Sequence, residues 1–404
     1  TFTPSTTPAA TFTPSTTPTA TFTPTPTTGT PSVSINWRFV ANYPRLRSNG
    51  TRMGNSEGLS VVLDNRLYVF GGYNQDNYRP MRDAYVYDPS TGGSGGSWTR
   101  LPDMPLGNTH AGIATDGRYI YIVSGYIEGS SGNQTFGTNL VYRFDPQAAD
   151  PQQAYTTIRS LPQTHAAGVA AVVGNYLYYV GGTNTARTQE IGLHWRLDLT
   201  DPNANWEARA PLPNPRHHMG VAVHNDMIYI IGGQHKHDRP LVSQDDVHRY
   251  DPATDTWTQL ADLPEARNHI GSTTFTLGDQ IYVLGGQVGH EEARNTVFIY
   301  DIPTDRWFEA ANPMPLTRHS AVGGAINGKL YMSTGNFSWS SIQGTLAPIG
   351  AGAATEQAHV EPLIAAVSAL IDQTNVQVHQ MIDGATAFYC APELTESPVA
   401  LLDR

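Results

Sequence analysis

A motif that returns about every 50 residues constrains this chain more than any other feature. Glycine pairs, or worn versions of them, stand at Gly71-Gly72, Ser124-Gly125, Gly181-Gly182, Gly232-Gly233, Gly285-Gly286 and Thr334-Gly335, at intervals of 53, 57, 51, 53 and 49 residues. Each pair ends a short β-branched and aromatic run, as at 67–70, 176–180, 228–231 and 281–284. Such runs read as buried strands rather than helices. Downstream come Tyr87-Asp88, Phe144-Asp145, Leu197-Asp198, Tyr250-Asp251 and Tyr300-Asp301, and after them Trp98, Tyr155, Trp206, Trp257 and Trp307. A unit of this length buries its apolar faces only against its neighbours, so the region is a repeat array.

The markers have physical roles. A glycine pair after a strand admits positive φ and lets backbones approach closely. Tyr and Trp fill the wedge between adjacent sheets. In the run Tyr250 to Asp255 an Asp can bond the amides of its own turn. On these residues, over roughly 35 to 340, the chain resembles the kelch family, whose repeats are the four-stranded blades of a β-propeller. The resemblance implies an all-β fold, a six-bladed kelch β-propeller. The stretch 34–39 with Tyr43-Pro44 looks like the outer strand and exit of a blade that has no beginning, and 318–335 like a blade that loses its later markers. Pairing the N-terminal strand with that last blade would close the ring and cover two open edges.

Three regions follow: a linker over 1–33, the propeller over 34–345, and a tail over 346–404. The linker repeats Thr-Phe-Thr-Pro at positions 1, 11 and 21 without a charged residue. It reads as an extended, disordered spacer, similar to those of secreted multidomain bacterial surface proteins. The tail is expected to be partly helical, with Leu363, Ile364, Val367, Leu370 and Ile371 on one face behind Pro362. A single cysteine, Cys390, excludes an internal disulfide framework and a thiolate zinc site within one chain. A net charge of −11 argues against a nucleic-acid partner, and no run approaches the ~18 apolar residues of a membrane span. The expected setting is extracellular or cell-surface, with a monomeric propeller inside a larger protein.

In a blade, the loop entering the innermost strand and the loop leaving the glycine pair lie at the same end of the ring. His110, His165, Arg216, His217, His218, Arg267, Asn268, His269, Arg318 and His319 stand at the first position. From these, His217, His218, Arg267, His269, Arg318 and His319 form the expected ligand-binding set. At the second position His235, His237, Asp238, His290 and Glu291 combine imidazoles with carboxylates and are the expected ligands of any divalent metal. The alternation of His235 and His237 would turn both rings to one side of an extended strand. The structural alternative is that these side chains are solvated or hydrogen-bond the adjacent blade.

The function expected is a secreted or surface-displayed binding module for a carbohydrate or a protein. No catalytic residue is assigned and no cofactor is required. The alternative is a sugar-modifying enzyme, an epimerase or oxidoreductase, on the same face; a passive spacer is a third. Galactose oxidase also has kelch blades, but its chemistry needs a Cys crosslinked to a Tyr, and Cys390 lies in the tail. Bacterial sialic acid epimerases are similar as six-bladed kelch proteins with a polar pocket, and for that chemistry Glu57, His218, His269 and Glu291 would supply acid and base.

Overall fold

Each repeat folds as one antiparallel sheet, as the short apolar runs require. The computed structural model describes residues 33–50, 53–74, 76–130, 133–237, 240–290 and 292–336, and the main chain of 355–359 and 388–390. The first sheet runs Leu59–Leu63, Arg66–Phe70, Ala84–Asp88, Ser97–Leu101. The next four repeat this order with innermost strands Gly112–Thr115, Val169–Val173, Gly220–His224 and Thr274–Leu277. A sixth sheet joins Val322–Ile326 and Lys329–Ser333 to Thr355–His359, Phe388–Cys390 and the early strand Asn36–Phe39. The tail range therefore contributes strands. The linker before Ser32, the helix expected over 362–372 and the one after it lie outside the described residues. Val33, assigned to the linker, is already buried, and its carbonyl accepts the Ala311 amide at 2.8 Å.

Neighbouring sheets share cores. Ala222, Tyr229, Ile231 and Val247 of the fourth sheet pack on Ile281, Val283, Phe298 and Tyr300 of the fifth. Each fully buried aromatic ring contributes on the order of 2–3 kcal/mol by leaving water. The recurrent tryptophans reach back to the previous repeat: Trp206 Nε1 donates to Arg159 O at 2.9 Å, Trp257 Nε1 to Ala210 O at 2.8 Å, Trp307 Nε1 to Ala261 O at 2.8 Å. The innermost strands of all six sheets surround one cavity of about 340 Å³, lined among others by Val61, Ile113, Ala170, Ala222, Phe275 and Gly324.

The second glycine of five of the six pairs links one sheet to the next. Gly72 N donates to Asn108 O at 2.9 Å, Gly182 N to Arg216 O at 3.0 Å, Gly233 N to Arg267 O at 2.7 Å, Gly286 N to Arg318 O at 2.8 Å, and Gly335 N to Asn55 O at 2.7 Å. The last of these joins the sixth sheet to the first. Gly233 has φ +107, and a Cβ there would stand 2.8 Å from His217 O, whereas Gly278, at φ +60, has open space around it. Gly233→Ala is expected to cost about 2 kcal/mol more than Gly278→Ala, because it adds a backbone clash to left-handed strain. Urea denaturation of both variants measures the difference; equal losses would discard the close-approach argument.

Candidate functional site

Three residues lead into each innermost strand: Asn55-Ser56-Glu57, Asn108-Thr109-His110, His165-Ala166-Ala167, Arg216-His217-His218, Arg267-Asn268-His269 and Arg318-His319-Ser320. The middle residue bridges to the loop that follows the glycine pair. Ser56 pairs with Tyr73, Thr109 with Tyr126, Ala166 with Thr183, His217 with Gln234, Asn268 with Gln287 and His319 with Asn336. The two loop sets thus meet at one end of the sheets, as their positions in the repeat imply.

In three blades the first residue of the triplet is a staple. Arg216 Nε donates to Gly232 O at 2.6 Å, Arg267 Nε to Gly285 O at 3.2 Å, and Arg318 Nη1 to Thr334 O at 2.9 Å. All three are fully buried. Arg267 also donates to Thr296 Oγ1 at 2.7 Å and pairs with Glu265. The structure therefore spends Arg267 on main-chain carbonyls and side chains of its own blade, and ties Arg318 to its blade through Thr334 O. In the first blade, where Asn55 holds this place, Arg45 reaches Gly71 O at 2.9 Å and makes a two-pronged pair with Asp83 at 2.6 Å. In the third blade His165 takes the place, its ring stacked 5.2 Å from both Tyr179 and Trp195.

The third residues carry the chemistry. Glu57, His110, Ala167, His218, His269 and Ser320 all have φ between 52° and 58°. Their main chains hydrogen-bond from blade to blade: Ala167 N to His110 O at 2.8 Å, His218 N to Ala167 O at 3.0 Å, His269 N to His218 O at 3.1 Å, Ser320 N to His269 O at 3.1 Å and Glu57 N to Ser320 O at 3.0 Å. Their side chains crowd one centre. His110 Nε2 lies 3.8 Å from Glu57 Oε2, and His269 Nε2 lies 3.5 Å from Glu57 Oε1. The His218 ring is 4.9 Å from that of His110 and 4.3 Å from that of His269. Ser320 Oγ donates to the Glu57 carboxylate. Burial pushes the Glu57 carboxyl up to about 7. The same burial, reinforced by neighbouring imidazoles, holds His110, His218 and His269 well below the usual imidazole range, and His217 near 3. His319 also falls to about 3 on burial.

Around this floor stands a wall of aromatic and imidazole groups. Tyr126 stacks on His110 with centroids 4.3 Å apart, and its hydroxyl lies 3.2 Å from His237 Nε2. Tyr73 meets His110 edge-on at 5.6 Å. The Arg187 guanidinium sits 4.2 Å from the centre of the Phe136 ring. His237 stacks on His217 at 5.7 Å. His235 does not share its side: its Nε2 meets Asn214 Oδ1 at 2.8 Å. Lys236, at φ 58°, breaks the alternation that would have aligned the two rings. His290 is half-buried on the neighbouring loop; Asp238 and Glu291 lie outside the described residues. Of the residues expected to bind ligand, His217, His218, His269 and His319 line this end of the ring. Glu57, named only for acid–base chemistry, and His110, named only for its position, prove central. Tyr126, Phe136 and Arg187 gave no sequence signal beyond lying in loops.

Two outcomes test these assignments. Arg267→Ala is expected to destabilise the fold by about 3 kcal/mol or more, since it leaves buried carbonyls unpaired, while half-exposed His237→Ala changes stability by less than about 1 kcal/mol. Thermal unfolding compares them, and a harmless Arg267→Ala would restore that arginine to the ligand-binding set. Away from the mouth, burial lowers His165 and His194 to about 4. Unfolded imidazoles bind protons below about 6.5, so each histidine's contribution is full above that pH and is lost as pH falls toward 4, by up to about 3 kcal/mol. A melting temperature that is flat between pH 7 and 4.5 in wild type and His165→Phe alike would refute this.

A family profile described as the KLHDC2/KLHL20/DRC7 Kelch-repeats domain matches residues 41–233 and 195–335. A kelch repeat-containing protein of Arabidopsis thaliana is 25% identical over 329 residues, covering 76% of this chain and 72% of its own. Kelch-like protein terF of Aspergillus terreus is 27% identical over 325 residues, covering 77% and 66%. Kelch-like protein 36 of mouse is 27% identical over 250 residues, and the match spans 38% of its length. Among solved structures, that of YjhT superposes with a TM-score of 0.58 at 16% identity, covering 71% of this chain and 92% of YjhT. With the repeat, the blade-like sheets and these matches in agreement, the chain belongs to the kelch-repeat family of β-propellers.

Proposed function

We propose that this chain is a secreted or surface-displayed six-bladed propeller whose histidine-lined mouth binds a carbohydrate. The observation that carries the reading is the pairing of aromatic faces with groups that both donate and accept. Tyr126 meets His237 and Phe136, Tyr73 packs on His110, and His269 joins Gln287 to the Glu57 carboxylate. A sugar presents a C–H face to rings and hydroxyls to such groups, and a cluster of this size suits it better than a protein partner, which needs roughly 800 Å² of surface. The uncharged Thr/Pro-rich tract, in the manner of bacterial surface proteins, supports the exported setting.

The raised Glu57 carboxyl favours a second reading, in which the mouth also moves a proton on the sugar it holds. Both are tested with the full chain on a panel of common glycans. Binding is expected to weaken at least about 10-fold in His237→Ala, consistent with losing one polar contact to the ligand. Failure of every glycan class to bind would remove the carbohydrate reading and leave a protein ligand. Turnover seen by NMR and abolished in Glu57→Gln would convert the binding module into an enzyme.

A further inference from the structure

We propose that Glu57, His110 and His218 form a site for one divalent transition-metal ion of the zinc class at the centre of the left-handed ring, with His269 against the same carboxylate. One ligand atom from each of the first three lies within 4.8 Å of the others. Four-coordinate zinc with bonds near 2.0–2.1 Å sets ligand atoms roughly 3.3–3.4 Å apart. The 3.8 Å and 3.5 Å separations of His110 and His269 from the carboxylate are a slightly opened version of that figure. Ala167 stands between His110 and His218 in the ring, and its small side chain lets those two imidazoles meet at 4.9 Å.

The second observation is how the imidazoles are held. Each ligand histidine has its Nδ1 engaged by the side chain immediately before it: His110 by Thr109 at 2.8 Å, His218 by His217, and His269 by Asn268. His269 Nδ1 also lies 3.1 Å from Gln287 Nε2, so that nitrogen is held from two sides and Nε2 is left facing the Glu57 carboxylate. Engaging Nδ1 in this way orients the ring, which is how proteins prepare histidines for metals. At His218 the consequence is visible: its Nε2 is buried and has no hydrogen-bond partner among the described residues. An orphaned buried nitrogen is costly, and a metal ion would satisfy it. A set of imidazoles with one carboxylate and no thiolate suits zinc and its neighbours rather than magnesium or calcium, which prefer oxygen. The site differs from the one expected at His235, His237, Asp238, His290 and Glu291; it shares Glu57 with the carbohydrate reading but does not depend on it.

The test is a titration of the full chain, stripped with chelator, using Zn²⁺ by calorimetry and Co²⁺ by its visible absorption, without sugar present. One ion per chain is expected, with a rise in melting temperature. His218→Asn and Glu57→Gln should each weaken binding at least about 10-fold. Both replacements keep a side chain near the original size, and Asn tolerates the left-handed backbone. His235→Ala should bind as wild type does. No saturable uptake by the folded wild-type chain would overturn the proposal without reference to any variant. So would unchanged affinity in folded His218→Asn and Glu57→Gln, or a loss that appears in His235→Ala instead.

Discussion

The left-handed residue before each innermost strand governs both how the sheets join and what the mouth can do. For a residue with a Cβ this conformation costs about 1–2 kcal/mol, and six equivalent positions adopt it together. The offset is local: five main-chain hydrogen bonds pass from one ring residue to the next, and the glycine pairs add a second tier of inter-sheet bonds. At about 1 kcal/mol net per bond, the strain and its compensation are of the same size. The ring is therefore affordable only as a set. No single blade could hold such a residue without its neighbours, which ties the chemistry at the centre to completion of the array.

Within that frame the residues divide by register. The first of each triplet serves the blade, the second joins the two loops, and the third faces its counterparts. This explains why arginines beside histidines in the sequence behave so differently in space. Arg267 and His269 are two residues apart, yet one is spent on carbonyls and the other meets Glu57.

The repeat, the strands, the glycine pairs and the meeting of the two loop sets were all legible in the sequence, because each rests on a pattern that five or six copies repeat. The site was legible only in part. The second loop set was weighted by its density of His and Asp, but a left-handed Lys236 sends His235 to Asn214, and spacing in one dimension does not reveal such a break. Glu57 is grouped with His218 and His269 only for acid–base chemistry and is absent from the binding and metal sets, because it stands in a blade whose leading triplet has no histidine. Counting back from each glycine pair finds it: Glu57, His110, Ala167, His218 and Ser320 all lie 14 residues before the first residue of their pairs. Position within the repeat, rather than residue type, carries the signal.

The same count exposes one exception with a structural use. His269 lies 16 residues before Gly285, so the fifth blade holds two extra residues at this point. They appear as the short helical turn Gly271–Thr273, ahead of a strand that starts late at Thr274. Ser272 Oγ donates to Gly58 O at 2.9 Å and accepts Ser60 N at 3.2 Å, while Ser60 Oγ bonds Ser272 O at 3.2 Å and Gly323 O at 3.0 Å. The insertion thus reaches from the fifth blade to the first and is tied to the sixth, below the ring. Gly58 follows Glu57 directly, so the turn clamps the main chain that carries the carboxylate. Held in this way, the carboxylate keeps its 3.8 Å and 3.5 Å distances to His110 and His269, and a shift of about half an ångström in the main chain would undo them. A two-residue insertion in a repeat that otherwise keeps its register is best understood as the support for that one side chain.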